Sequence, residues 1–159
     1  MASSDPGVES PPTSTPGSMA SSLADRVVFD TEPIVAHATS ERGAETVDTY
    51  LDAVGEGEIE GFLNRVNLTE IRVVLARSSG RSDADRYVQW LSDVGVRSVG
   101  TESTWRTAAE YGLEYDPTLG GSYALATADD LDATLLAGPV EEYEGVTEVR
   151  IRRFRDGPA

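Results

Sequence analysis

The sequence predicts an α/β fold, a three-layer α/β/α sandwich around a mostly parallel central sheet. Three observations carry that prediction. Short apolar runs such as Val27-Val28-Phe29 and Ala133 to Ala137 have the length and continuity of buried strands. Between such runs lie longer segments whose apolar residues recur at helical spacing. The two kinds of segment alternate, as expected for parallel strands joined by helical crossovers.

Residues 1–25 are rich in Ser, Pro, Gly and Thr. They bury too little apolar surface to offset the entropy of ordering, so a disordered tail is expected, with Met19 available as a second start. A single domain is expected over 26–154, with a frayed end at 155–159. Its first strand, Val27-Val28-Phe29, stops at Asp30. Pro33 suits a first helical turn, and a short helix is expected over 34–38. A longer helix follows Ser40, with Ala44, Val47, Tyr50, Leu51 and Val54 on one face, and Gly55 and Gly57 end it. Ile59 to Leu63 reads as a strand. Asn67 is expected to cap the next helix, which carries Leu68, Ile71, Val74 and Leu75 and places Glu70 in its first turn. Ser82 or Asp83 starts another helix, with Ala84, Tyr87, Val88 and Leu91 inward. A strand is expected over 96–99. Thr101 caps a helix through Trp105, Ala108, Ala109 and Leu113, which Asp116-Pro117 breaks. A helix over 119–131, a strand over 133–137 and a last strand over 148–152 complete the domain.

The 159 residues include 28 acids against 13 bases, giving a net charge of -15, and every base is Arg. An acidic, Lys-free surface fits a salt-adapted, haloarchaeal-like proteome, where the Debye length falls to about 3 Å and self-repulsion is screened; the alternative is an ordinary acidic protein from a GC-rich genome. Net negative charge ordinarily argues against nucleic-acid partners, an argument that weakens in molar salt. No run is long and apolar enough for a membrane span, and no signal peptide is expected, so a cytoplasmic protein without membrane contact is predicted. Cys is absent and His37 is the sole histidine, which removes disulfides, thiolate metal sites and multi-His sites. His37 reads as a helix-face residue. Trp90 and Trp105 read as core or dimer contacts.

Asp30 commands the chemistry. It stands at the C-terminal end of a strand, the edge of a parallel sheet where ligands bind. The order of four landmarks resembles the PIN domain, and more narrowly the VapC-type toxins: Val27-Val28-Phe29-Asp30-Thr31; Asn67-Leu68-Thr69-Glu70-Ile71; Leu119-Gly120-Gly121-Ser122-Tyr123-Ala124-Leu125-Ala126-Thr127-Ala128; and Leu131-Asp132-Ala133-Thr134-Leu135-Leu136-Ala137-Gly138. The resemblance implies a PIN-like sandwich and a metal-dependent endoribonuclease. In that family, three or four carboxylates hold Mg²⁺ or Mn²⁺ above the strand ends. Asp30 matches the first acid and Glu70 the second, as catalytic and metal-binding residues. Thr31 matches the hydroxyl residue after the first acid. Thr31, Gly121 and Ser122 are expected next to substrate.

The match then departs from the family. Gly121 stands where the third acid belongs, and Pro139 and Val140 stand where the fourth would follow Gly138. Glu141 is the candidate replacement ligand; Glu142 follows it, and Glu32 lies two residues past Asp30. Asp116, across the Pro117 break, is a poor substitute. Two readings follow: a weakened Mg²⁺-dependent ribonuclease, or a non-catalytic PIN-fold module that binds RNA, an antitoxin-like protein or a PIN paralogue. The family implies a homodimer, with Tyr87, Trp90 and Leu91 as interface positions. Arg150, Arg152, Arg153 and Arg155 read either as phosphate contacts or as a defended edge strand. A minor alternative is a haloacid-dehalogenase-like phosphohydrolase. It lacks the expected downstream Thr, since residue 34 is Ile, and any phosphate-binding Lys.

Overall fold

The computed structural model describes residues 24–138 and 140–155. The predicted tail therefore lies almost wholly outside the described residues, as do Pro139 and 156–159. Five strands form one sheet: β1 (Arg26–Phe29), β2 (Glu60–Asn64), β3 (Arg97–Val99), β4 (Thr134–Ala137) and β5 (Ile151–Arg153). Their order is β3-β2-β1-β4-β5, and every pairing is parallel. The helices are α1 (Thr31–Ala38), α2 (Ala44–Gly55), α3 (Arg65–Ser79), α4 (Arg81–Val94), α5 (Trp105–Tyr115) and α6 (Leu119–Leu131). A 3-10 turn, Val140–Tyr143, follows β4.

Alternation along the strands produces the layers. Val27, Phe29, Leu63 and Leu136 point to one face and pack under α1 to α4 with Ile34, Leu51, Ile71 and Leu91. Val28, Phe62, Leu135 and Ala137 point to the other and pack under α5 and α6 with Tyr111, Leu125 and Ala128. The expected three-layer α/β/α sandwich is the fold, with a sheet that is parallel throughout among the described residues. From β1 the chain winds outward through β2 and β3, then returns to the other side of β1 as β4. The direction thus reverses between β1 and β4, the kind of crevice where open α/β sheets bind ligands.

Several helix starts differ from the sequence expectation, and side-chain caps account for two of them, α1 and α3. α1 begins at Thr31 because the Asp30 carboxylate accepts the Thr31 N–H at 2.8 Å. α2 begins at Ala44, after Ser40 and Gly43 turn the chain at φ 57° and 95°. A β-carbon at Gly43 would overlap the buried Phe154 ring, so both space and dihedral require glycine there. α3 begins at Arg65 rather than at Asn67, because Asn64 ends β2 and accepts the Val66 N–H at 2.9 Å. Glu70 therefore lies in the second turn of α3, beyond the helix dipole's first-turn reach. α4 begins at Arg81, just after Gly80, and α5 at Trp105, just after Thr104. β5 spans 151–153, so Arg150 precedes it and donates to Thr134 Oγ1 at 3.2 Å. β5 is an edge strand of the sheet and carries two of the four arginines, Arg152 and Arg153.

Neither tryptophan lies in the core. Trp90 is 40% exposed and stacks on His37 at 5.6 Å, and Trp105 is 50% exposed under the Arg106 guanidinium. His37 is a helix-face residue, as expected. It bridges the Tyr87 hydroxyl and Asp48, at 2.7 and 2.9 Å. Among the described residues, no helix is long and apolar enough to cross a membrane.

Candidate functional site

Asp30 sits where β1 ends, its N–H still bonded to Leu136 O of β4 at 3.0 Å. The sheet ladder thus fixes its backbone at the crevice between the two strands. Its side chain is only 6% exposed and has two donors: Thr31 N–H on Oδ1 at 2.8 Å, and the Tyr143 hydroxyl on Oδ2 at 2.6 Å. Burial pushes the Asp30 carboxyl up to about 6, against those two hydrogen bonds, and the charges of Glu142 and Glu70 add to the rise. Tyr143, 3% exposed, is driven far above the ordinary phenol range, mainly by burial and then by Asp30. It therefore remains a donor.

A cavity of about 270 Å³ opens beside Asp30, lined by Thr31, Glu32, Val35, Glu70, Val74, Thr118, Gly121 and Glu142 as well. Thr31 donates its hydroxyl to Glu70 Oε1 at 2.7 Å. Asn67, fully buried, uses Nδ2 to bond Thr31 Oγ1 at 3.1 Å and Gly120 O at 3.0 Å, tying α3 to α1 and α6. Its Oδ1 is buried without a partner. Glu142 reaches from the 3-10 turn to the start of α6 and accepts both the N–H and the hydroxyl of Thr118. Glu32 pairs with Arg155 at 3.1 Å.

Of the residues expected at the site, Asp30, Thr31, Glu70 and Gly121 meet at this cavity. Ser122 is buried, and a β-carbon on Gly112 of α5 would stand 3.6 Å from its Oγ. Glu141 is exposed, and its neighbour Glu142 is the acid that lines the cavity. Asn67 and Tyr143 were not legible as site residues. Asn67 read as a helix cap, and Tyr143 arrives from a turn with no helical or strand pattern of its own. The signal for Glu142 was present, an acid one residue from the candidate, but choosing between the two needs the register of the turn.

Three glycines shape the cavity walls. A β-carbon at Gly120 would overlap the Glu70 carboxylate, one at Gly121 that of Glu142, and one at Gly138 that of Glu32. The donor chemistry suits a hard divalent cation, for which carboxylate oxygens are the ordinary ligands. In this structure, however, the acids are turned toward the chain's own donors. Both Asp30 oxygens, Glu70 Oε1 and Glu142 Oε2 are already engaged by donors of the chain. Among the described residues no three acids converge to hold an ion.

No protein-family model matches the sequence, and no curated protein matches it. Solved structures do share its fold. One is a chain of a toxin-antitoxin complex from Klebsiella pneumoniae. It has a TM-score of 0.61 at 17% identity, over 77% of this chain and 94% of that chain. Another belongs to VapBC2 from Rickettsia felis, bound to a DNA fragment from their promoter. It has a TM-score of 0.66 at 9% identity, over 80% of this chain and 98% of that chain. The fold is PIN-like, and at these identities the likeness is one of fold.

Proposed function

We propose that this chain is a non-catalytic PIN-fold module, in which the endoribonuclease chemistry of the VapC-type proteins is lost. In this reading its acidic cavity receives a cationic side chain of an antitoxin-like protein. The observation that carries this is one cavity lined by four carboxylates, Asp30, Glu32, Glu70 and Glu142, with glycine at residue 121. Without a bound divalent cation, Asp30, Glu32, Glu70 and Glu142 repel phosphate. The same cluster complements an Arg or Lys. That the fold neighbours come from toxin-antitoxin complexes supports the partner class.

A second reading, a Mg²⁺- or Mn²⁺-dependent endoribonuclease of reduced activity, has its own support. Asp30, Glu70 and Glu142 line one cavity and are the right ligand type. The deciding experiment incubates the native chain and Asp30→Asn with a panel of structured RNAs in molar KCl, with either metal. No cleavage by either protein is expected. Cleavage by the native chain that Asp30→Asn abolishes would overturn the first reading in favour of the second. Size-exclusion chromatography in the same salt tests the homodimer, and a monomer at micromolar concentration removes Tyr87 and Trp90 as interface positions; Leu91, expected with them, is 2% exposed in the core and offers no surface for contact.

A further inference from the structure

The N-terminus of α6 is capped by two segments of the chain together. Thr118 is its N-cap, and Thr118 Oγ1 accepts the N–H of Gly121, the third helical residue, at 3.0 Å. In a capping box the third residue is an acid or its amide, and its side chain returns the favour by accepting the N–H of the cap. Gly121 has no side chain to do so. Glu142 does it instead, accepting the Thr118 N–H at 3.0 Å from 24 residues away. Its carboxylate occupies the space a β-carbon at 121 would need. It also bears on Asp30 electrostatically.

We propose that Glu142 is the cavity's relocated third acid: it supplies at the start of α6 the carboxylate that residue 121 lacks, and residue 121 is glycine to admit it. The proposal rests on the reading of this cavity as the functional site, but its test does not depend on what the cavity binds. Gly120 with Glu70 and Gly138 with Glu32 repeat the same complementarity. Only the 121–142 pair also exchanges a capping role. Gly121 and Glu142 are therefore coupled positions, and an acid belongs at one of them.

A double-mutant cycle tests this by thermal unfolding of the full chain. Gly121→Asp in the native background sets one carboxylate against another and is expected to lower Tm by roughly 4 to 10 °C. In the Glu142→Ala background the new acid completes the capping box itself, and the same substitution is expected to lower Tm by less than about 2 °C or to raise it. If Gly121→Asp alone does not fold, recovery of the fold in the double variant supports the proposal, and failure of both overturns it. Equal cost in the two backgrounds also overturns it. The amide resonance of Thr118 gives a second measurement on folded protein. It is expected to move upfield in Glu142→Ala as the carboxylate bond is lost, and a resonance that stays in place overturns the assignment. RNA cleavage by the native chain would sink the proposed function and leave this cycle unchanged.

Discussion

Asp30 is held in an environment that disfavours its charge. Its ordinary value is 3.8 and its folded value about 6, so the folded state binds the extra proton between those limits. The stability this contributes is present in full below pH 3.8 and lost as pH rises through 6. At neutral pH the charged, buried form is a liability of about 3 kcal/mol by that shift. Asp30→Asn is therefore expected to raise Tm at pH 7 to 8 and to lose that advantage below about pH 4. The Asn carbonyl still accepts Thr31 N–H, and its amide donates to the Tyr143 oxygen. Unfolding followed across that range checks it, and a variant less stable than the native chain at pH 8 refutes the sign. Tyr143→Phe leaves a buried carboxylate oxygen without its donor. It is expected to cost about 1 to 3 kcal/mol in chemical denaturation at neutral pH. At this scale the sequence was partly legible. Asp30 announced itself as an acid ending an apolar strand. Tyr143 did not, because the bond that matters joins residues 113 apart.

The core faces of the helices were legible from their apolar spacing, and α6 agrees with its expected bounds from Leu119 to Leu131. The N-termini of α3 and α5 were misplaced by three residues; at α3 a nearby Asn offered itself as an equally good cap, whereas Thr104 before α5 makes no side-chain cap and donates its hydroxyl to Gly100 O. Asn64 wins over Asn67 because it is also wanted elsewhere. Its Nδ2 bonds Thr104 and Thr127 at 3.1 and 3.0 Å, so one buried amide caps α3 and anchors the start of α5 and the middle of α6. Asn64→Ala is expected to cost about 2 to 4 kcal/mol, more than the ~1 kcal/mol of a solvent-exposed cap. A denaturation midpoint close to the native one would show that these bonds are dispensable. Freed from the cap, Asn67 becomes the buried link between three helices that hold the cavity walls.

For the molecule as a whole, the alternation of strands and helices was enough to give the sandwich, because burial on both faces of a parallel sheet leaves few other arrangements. The strand order was not legible, and with it the crevice between β1 and β4, since pairing between distant strands leaves no local signature. The net charge acts at this scale too. With -15 spread over 159 residues, self-repulsion disfavours the compact state at low ionic strength. Raising KCl from millimolar to molar is expected to raise Tm by several degrees at neutral pH, as the screening length falls to about 3 Å. A Tm that is flat or falling with salt would argue that the acids are well dispersed and that the salt-adapted reading is wrong.

The bond between Asp30 and Tyr143 also has a clock in it. At roughly 5 to 20 residues per second of synthesis, the 113 residues between them take roughly 6 to 23 s to emerge. Through that interval Asp30 Oδ2 has no donor, and for most of it β4 and Glu142 are also still to come. Under the proposed function, a partner that must meet all four carboxylates recognises only chains grown past Glu142, so association would be timed by completion of the cavity rather than by the appearance of its first residue.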